Sequence, residues 1–247
     1  MNYFIQKKWL YPCWFLIIIG FVFLGTPKTM GSKPEKRSLV IEITAGSNYD
    51  HEYKYGLLKL NLTPQIAIWL EDSKNNYIDT IFVTAKTAKS GWGNVRRPSA
   101  LPIWSHQRGV RYADGLFTPD KKNPLPDAIT GATAKNSFVK VWNIPSNIPN
   151  GEYLIKVEVN NSFDYNDKYR DKLSEKNPDY NDVSGQPSLL WEGIIVVGKS
   201  SEINLVKTGH GHPSGKNGNI DKDLSGFTTA LNIINAIQVK VENSKGE

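Results

Sequence analysis

An all-β fold, an immunoglobulin-like antiparallel β-sandwich with long loops, is what this chain predicts, on two observations. Apolar residues recur with a period of two along about eight short segments, and Gly, Pro and Asn rather than helical stretches separate those segments. Two amphipathic sheets can bury their apolar faces only against each other, so many short strands without intervening helices favour two packed layers.

The fold is expected to start near Leu39 and run to residue 242, ahead of a short polar tail at 243–247. In residues 39–44, Leu39, Ile41 and Ile43 share one face while Glu42 and Thr44 take the other, as in a half-buried strand. Residues 65–70 align Ile66, Ile68 and Leu70, and residues 77–84 follow across a polar turn, which predicts a hairpin. Residues 138–142 form the next strand. The Ile148-Pro149-Asn150-Gly151 turn then feeds residues 152–160, where Tyr153, Ile155, Val157 and Val159 alternate with Leu154, Lys156 and Glu158. Residues 189–197, 202–207 and 234–241 complete the set. Phe227, Leu231 and Ile234 have helical spacing, so a helical turn is expected just before the last strand.

The N-terminus reads as an export signal. Lys7 and Lys8 precede an apolar run over residues 9–24, the order of a basic n-region and a hydrophobic h-region. After Pro12 the run holds about 12 uninterrupted apolar or Gly residues, short of the roughly 20 that a helical span needs. Residues 1–25 are therefore expected to be a cleaved signal peptide or an N-terminal membrane anchor, and the polar stretch 26–38, with Pro27 and Pro34, a linker. The expected location is periplasmic or extracellular.

Charge and cysteine usage narrow the function. The formal charge is +6, but Lys7, Lys8 and Lys28 account for three of those charges. Elsewhere Lys alternates with Asp, Glu and Asn, which argues against a nucleic-acid face. The single cysteine, Cys13, stands in the leader, so the exported part offers no thiol nucleophile, thiolate site or disulfide.

Three long stretches, 85–137, 161–188 and 208–226, interrupt the strands, and loops of this length usually carry function. In the third, His210-Gly211-His212 presents an HxH pair suited to a metal ion, or two exposed histidines on a flexible glycine loop. His210 or His212 with Ser214 and Asp221 supplies the residue types of a hydrolase triad, without a GxSxG elbow and within one short loop. The tetrads Asp164-Tyr165-Asn166-Asp167 and Asp179-Tyr180-Asn181-Asp182 have calcium-type ligands but no EF-hand spacing, and read as Asx turns. Of the seven tryptophans, Trp69, Trp142 and Trp191 lie in expected strands. Trp92 and Trp104, in the first loop, are the candidates for exposed contact with a glycan or protein.

The segment Asp127-Ala128-Ile129-Thr130-Gly131-Ala132-Thr133 resembles the flavinylation motif of exported FMN-binding domains. The resemblance implies FMN joined by a transferase to Thr133 through a phosphoester, with Asp127, Thr130 and Gly131 in the recognised segment. The alternative is that Thr130 and Thr133 bond neighbouring backbone in a Gly-containing turn. Together with Ile68-Trp69-Leu70-Glu71-Asp72, Thr80-Ile81-Phe82-Val83-Thr84, Leu101-Pro102-Ile103-Trp104 and Gly185-Gln186-Pro187-Ser188-Leu189, this segment is similar to the predicted periplasmic proteins of the domain-of-unknown-function 2271 family. That resemblance implies an exported β-sandwich of unassigned activity, encoded in some cases beside flavin transferases and membrane reductase components. The expected function is thus a non-catalytic accessory or binding protein. A covalent FMN carrier and a carbohydrate- or protein-binding module are the alternatives.

Overall fold

The alternating stripes form two stacked sheets. The computed structural model describes residues 36–89, 96–126, 129–132 and 134–244. In chain order the strands are β1 (Lys36–Ala45), β2 (His51–Tyr55), β3 (Leu58–Leu62), β4 (Gln65–Asp72), β5 (Tyr77–Thr84), β6 (Thr130–Gly131), β7 (Phe138–Asn143), β8 (Gly151–Asn160), β9 (Leu189–Val197), β10 (Ser201–Asn204), β11 (Val206–His210) and β12 (Ile234–Ser244). One sheet has the order β10-β12-β1-β7, the other β11-β9-β8-β4-β5-β6, and β2-β3 is a separate hairpin. Neighbours pair antiparallel except β5 with the two-residue β6, which is parallel.

The core lies between the sheets. Leu39, Ile41 and Ile43 of β1 and Ile237, Val239 and Val241 of β12 meet Ile66, Ile68 and Leu70 of β4 and Ile155, Val157 and Val159 of β8, all buried. Because side chains alternate across a strand, the same four strands must present their other residues outward. What covers those residues differs between the two sheets.

Several sequence expectations are corrected. The run 202–207 is not one strand: β10 belongs to the four-stranded sheet and β11 to the six-stranded one. The chain changes sheet at Leu205, whose side chain is buried and whose N–H donates to the Ile237 carbonyl at 2.8 Å. The linker ends earlier than expected, since β1 begins at Lys36 and pairs with Ser244 at the far end of β12. The hairpin β2–β3 falls in a stretch where no strand was expected. A short helix, α2 in chain order after the four-residue α1 (Ala85–Ala88), spans Pro102–Gln107 inside the first long loop. The helical turn expected before the last strand is a 3-10 turn at Thr229–Asn232. Trp69 and Trp191 are buried and Trp142 is half-buried against the core, as expected of strand tryptophans.

Candidate functional site

Part of the outer face of the six-stranded sheet is covered, although Ile194 of β9 on the same face is 60% exposed. Ala67, Trp69, Val83 and Leu190 point outward into a second apolar cluster closed by Ala88, Ala100, Leu101, Ile103 and Trp104 from the first loop. Pro102 opens α2, a position where its missing N–H costs nothing. The helix still has orphan backbone donors at this end, and Glu158 of β8 accepts two of them: Oε1 from Ile103 N at 3.1 Å and Oε2 from Trp104 N at 2.8 Å. The Ser188 hydroxyl donates to Oε1 at 2.5 Å. Glu158 is 0% exposed, and burial pushes its carboxyl up to about 7 against the pull of these donors. Beside it, Lys156 Nζ reaches Glu71 at 2.9 Å and Glu192 at 3.5 Å, while Trp69 Nε1 donates to Glu71 at 2.7 Å.

Trp104 is corrected by this arrangement. It is 0% exposed, its indole N–H donates to Thr80 Oγ1 at 2.9 Å, and Arg108 lies 5.2 Å over its ring. A side chain sealed in this way offers no stacking surface to a glycan or protein. Trp92, its companion in that reading, lies outside the described residues.

The third long loop is drawn onto the same foundation. Gly211 N donates to the Ser188 carbonyl at 2.9 Å, and His210 pairs in an antiparallel bridge with Asp221. A Cβ at Gly211 would come within 2.6 Å of both Pro102 and Ser188 and 3.3 Å of Glu158, so only glycine permits this approach. The second long loop arrives from the other side, fixed by the Asp164–Gly185 bridge and by Asn166, whose side-chain oxygen accepts from the Lys168 and Tyr169 N–H groups. The first DYND tetrad is thus an Asx turn, as its composition predicts.

Between these two loops lies an open cleft of about 440 Å³. The second loop contributes Lys168, Tyr169, Pro178 and Asp179, and the third contributes its wall from His210 to Asp223. Cationic and anionic groups therefore face one space, with Tyr169 and Pro213 as apolar elements. His210 ends β11 rather than swinging on a flexible loop. It is buried, packs on Phe227 with ring centroids 4.9 Å apart, and lies 2.7 Å through Nδ1 from the Gly211 carbonyl. A carbonyl only accepts, so Nδ1 carries the proton and, in the neutral ring, Nε2 is the acceptor. His212 has the opposite arrangement, because its Nδ1 accepts from Ser214 N at 3.2 Å. Burial, with Lys216 and His210 nearby, lowers its pKa below the ordinary histidine value. The Ser225 backbone N–H holds the Asp223 carboxyl below the usual range.

The triad types do not assemble as a catalytic relay. Ser214 Oγ is 3.2 Å from His212 Nδ1, but that atom already receives the Ser214 N–H, and Asp221 Oδ1 accepts from Asp223 N. Among the described residues no group of three or more His, Asp or Glu side chains is placed to hold a metal ion. In the TGAT segment, Thr130 and Gly131 form β6 beside Val83 and Thr84 at the edge of the six-stranded sheet. A Cβ at Gly131 would lie 2.8 Å from the Phe82 ring, a packing reason for glycine there. Asp127 and Thr133 lie outside the described residues.

Sequence reasoning missed Glu158, Glu71 and Lys156 because an outward polar residue on a strand reads as solvated. A signal was present: residues 66–70, Ile-Ala-Ile-Trp-Leu, are continuously apolar, which marks a strand buried on both faces. It missed the cleft residues because no local spacing links Lys168 and Asp179 to Asp223. Comparison with known proteins yields no matching family model, no matching curated protein and no matching solved structure.

Proposed function

We propose that this chain is an exported, non-catalytic binding domain whose ligand site is the cleft between the second and third long loops. The observation that carries the reading is the convergence of those two loops, from distant parts of the sequence, on one polar space walled by Lys168, Asp179, His210, His212, Asp221 and Asp223. The loops are braced on the covered sheet by Ser188, Gly211 and Glu158, so the walls are held before a ligand arrives. Oppositely charged groups around an open cleft suit a small polar ligand carrying both hydrogen-bond donors and acceptors, such as a saccharide or a peptide segment. Export rests on the basic and apolar order of the first 24 residues.

The test is a thermal-unfolding screen against oligosaccharides, short peptides and amino acids. A ligand present at a hundredfold excess over its Kd stabilises by about 2.7 kcal/mol, a readily measured rise in Tm. That rise should vanish in Lys168→Ala and Asp223→Ala, whose unliganded stability stays near that of the parent. A panel without any stabilising member, or a rise that survives both substitutions, rejects the cleft.

One observation favours a second reading, the covalent FMN carrier. Ala132, next to Thr133, is exposed at the sheet edge, so a transferase would find this segment accessible. Coproduction with an FMN transferase should then give a yellow protein whose added mass is lost in Thr133→Ala. A colourless chain of unmodified mass rejects the carrier.

A further inference from the structure

The hairpin β2–β3 stands outside both sheets and concentrates exposed apolar surface. Its register sets His51 opposite Leu62 and Tyr53 opposite Leu60 on one face, where Leu58 follows, with Glu52 opposite Asn61 and Lys54 opposite Lys59 on the other. At the base this apolar face is anchored: the Tyr53 ring stacks on Phe163 at 4.4 Å, with Tyr165 edge-on at 6.5 Å. Toward the tip it runs out of cover. Exposure climbs from 3% at Leu62 to 36% at Leu60, 63% at Leu58 and 103% at Leu57.

The turn explains why the apex is apolar. Tyr55 and Leu58 pair directly, leaving Gly56 and Leu57 as a two-residue loop, and Gly56 has φ of 59°. A two-residue hairpin turn with glycine first is the type II′ arrangement, so a leucine is forced to the outermost point. Turn tips are ordinarily polar, and here the apex and its neighbour are both leucine.

Charge indicates what covers them. Lys54 and Lys59 are directly opposite each other, an unfavourable placement for like charges that Glu52, 3.2 Å from Lys59, offsets only in part, since two cations face one anion. At about 3.4 Å per residue the lysine pair sits roughly 5–7 Å behind the apex. Interfacial apolar groups sink about 5–10 Å into the headgroup and acyl boundary, so with Leu57 and Leu58 at that depth the two ammonium groups stand level with lipid phosphates. The geometry points to the β2–β3 tip as a membrane-contact element that docks the domain on anionic bilayers. This holds independently of what fills the cleft.

The test uses the full chain with Cys13→Ser, which removes its single cysteine, and an environment-sensitive fluorophore at Leu57→Cys or, as control, at the exposed Val139→Cys. Vesicles of phosphatidylcholine alone are compared with equal parts phosphatidylcholine and phosphatidylglycerol. The position-57 probe should shift to the blue with the anionic vesicles while the position-139 probe does not, which separates the hairpin from the apolar N-terminal run. Lys54→Gln with Lys59→Gln should weaken the anionic response roughly tenfold and leave the neutral one unchanged. In unlabelled protein, Leu57→Ser with Leu58→Ser should weaken flotation with anionic vesicles by roughly tenfold or more; both side chains are exposed, so the fold is unaffected. No shift at position 57, an equal shift at position 139, or a shift without vesicles that disappears on dilution overturns the proposal. The last outcome would assign the tip to a second copy of the chain.

Discussion

The two sheets of this sandwich share one core but differ on their outer faces. On the six-stranded sheet, Lys156 and Glu158 project from β8 into a second buried layer, where each polar atom needs a protein partner. On the four-stranded sheet, Val139 and Val141 of β7 and Lys240 of β12 project outward with no covering layer among the described residues. Strands of similar pattern thus meet opposite physical conditions, and the loops that carry the candidate cleft lean on the covered side. The contrast teaches that outward polarity on a strand marks solvent only when nothing is laid over it.

Breaking the covered network should show the largest effect. Lys156→Ala leaves Glu71 buried without its cation and is expected to cost about 3–5 kcal/mol in denaturant unfolding, whereas Glu71→Leu combined with Lys156→Met should recover most of that loss. If the single and double variants were equally damaged, the pair would be packing alone.

A pH profile sharpens the comparison next. The Glu158 carboxyl titrates near 4.5 when unperturbed and is pushed up to about 7 in the fold. Between those values the folded chain keeps a proton that the unfolded chain has released, so this group's stabilisation is full below 4.5, declines as pH rises, and levels off above about 7. The span amounts to about 3 kcal/mol, and Glu158→Gln should flatten it when subtracted from the parent profile. A difference profile without slope in that window would show the carboxylate to be ionised throughout.

Smaller effects come from the contact between the third loop and α2, and from the uncovered face. Gly211→Ala forces a methyl against Pro102 and Ser188 and should cost about 1–3 kcal/mol, while also weakening any ligand held by the cleft, measured by unfolding and titration together. Val139→Thr and Val141→Thr should change stability by less than about 0.5 kcal/mol. A larger loss there would mean that this face has a partner in solution.

Much of the sandwich could be read from alternation alone. The stripes of Leu39-Ile41-Ile43 and Ile155-Val157-Val159 fall where period two puts them, because a half-buried strand must segregate its faces. The hairpin at 51–62 escaped although His-Glu-Tyr-Lys-Tyr and Leu-Lys-Leu-Asn-Leu both alternate. Its turn is Gly-Leu rather than Asn-Gly or Asp-Gly, and its apolar residues near the tip, Leu57, Leu58 and Leu60, are exposed. Trp104 was misread because a tryptophan in a long loop lacks the flanking alternation that marks burial; Pro102 at a helix start was the available cue. The cleft was not legible because Lys168, Asp179 and Asp223 become neighbours only through the tertiary path of two loops. The His210 and His212 pair was visible as sequence, but the opposite hydrogen-bonding roles of the two Nδ1 atoms follow from backbone partners that no motif encodes.

The pairing of β12 also sets an order of assembly. This strand lies between β1 and β10, so the four-stranded sheet has at its interior a segment synthesised after every other described strand. Until it arrives, β1 has one neighbour instead of two and the inner surface of the opposing sheet is partly bare. Closure of the sandwich is therefore a late, long-range event, slow by the rule that distant contacts delay folding, and the two sheets stay open until β12 is available.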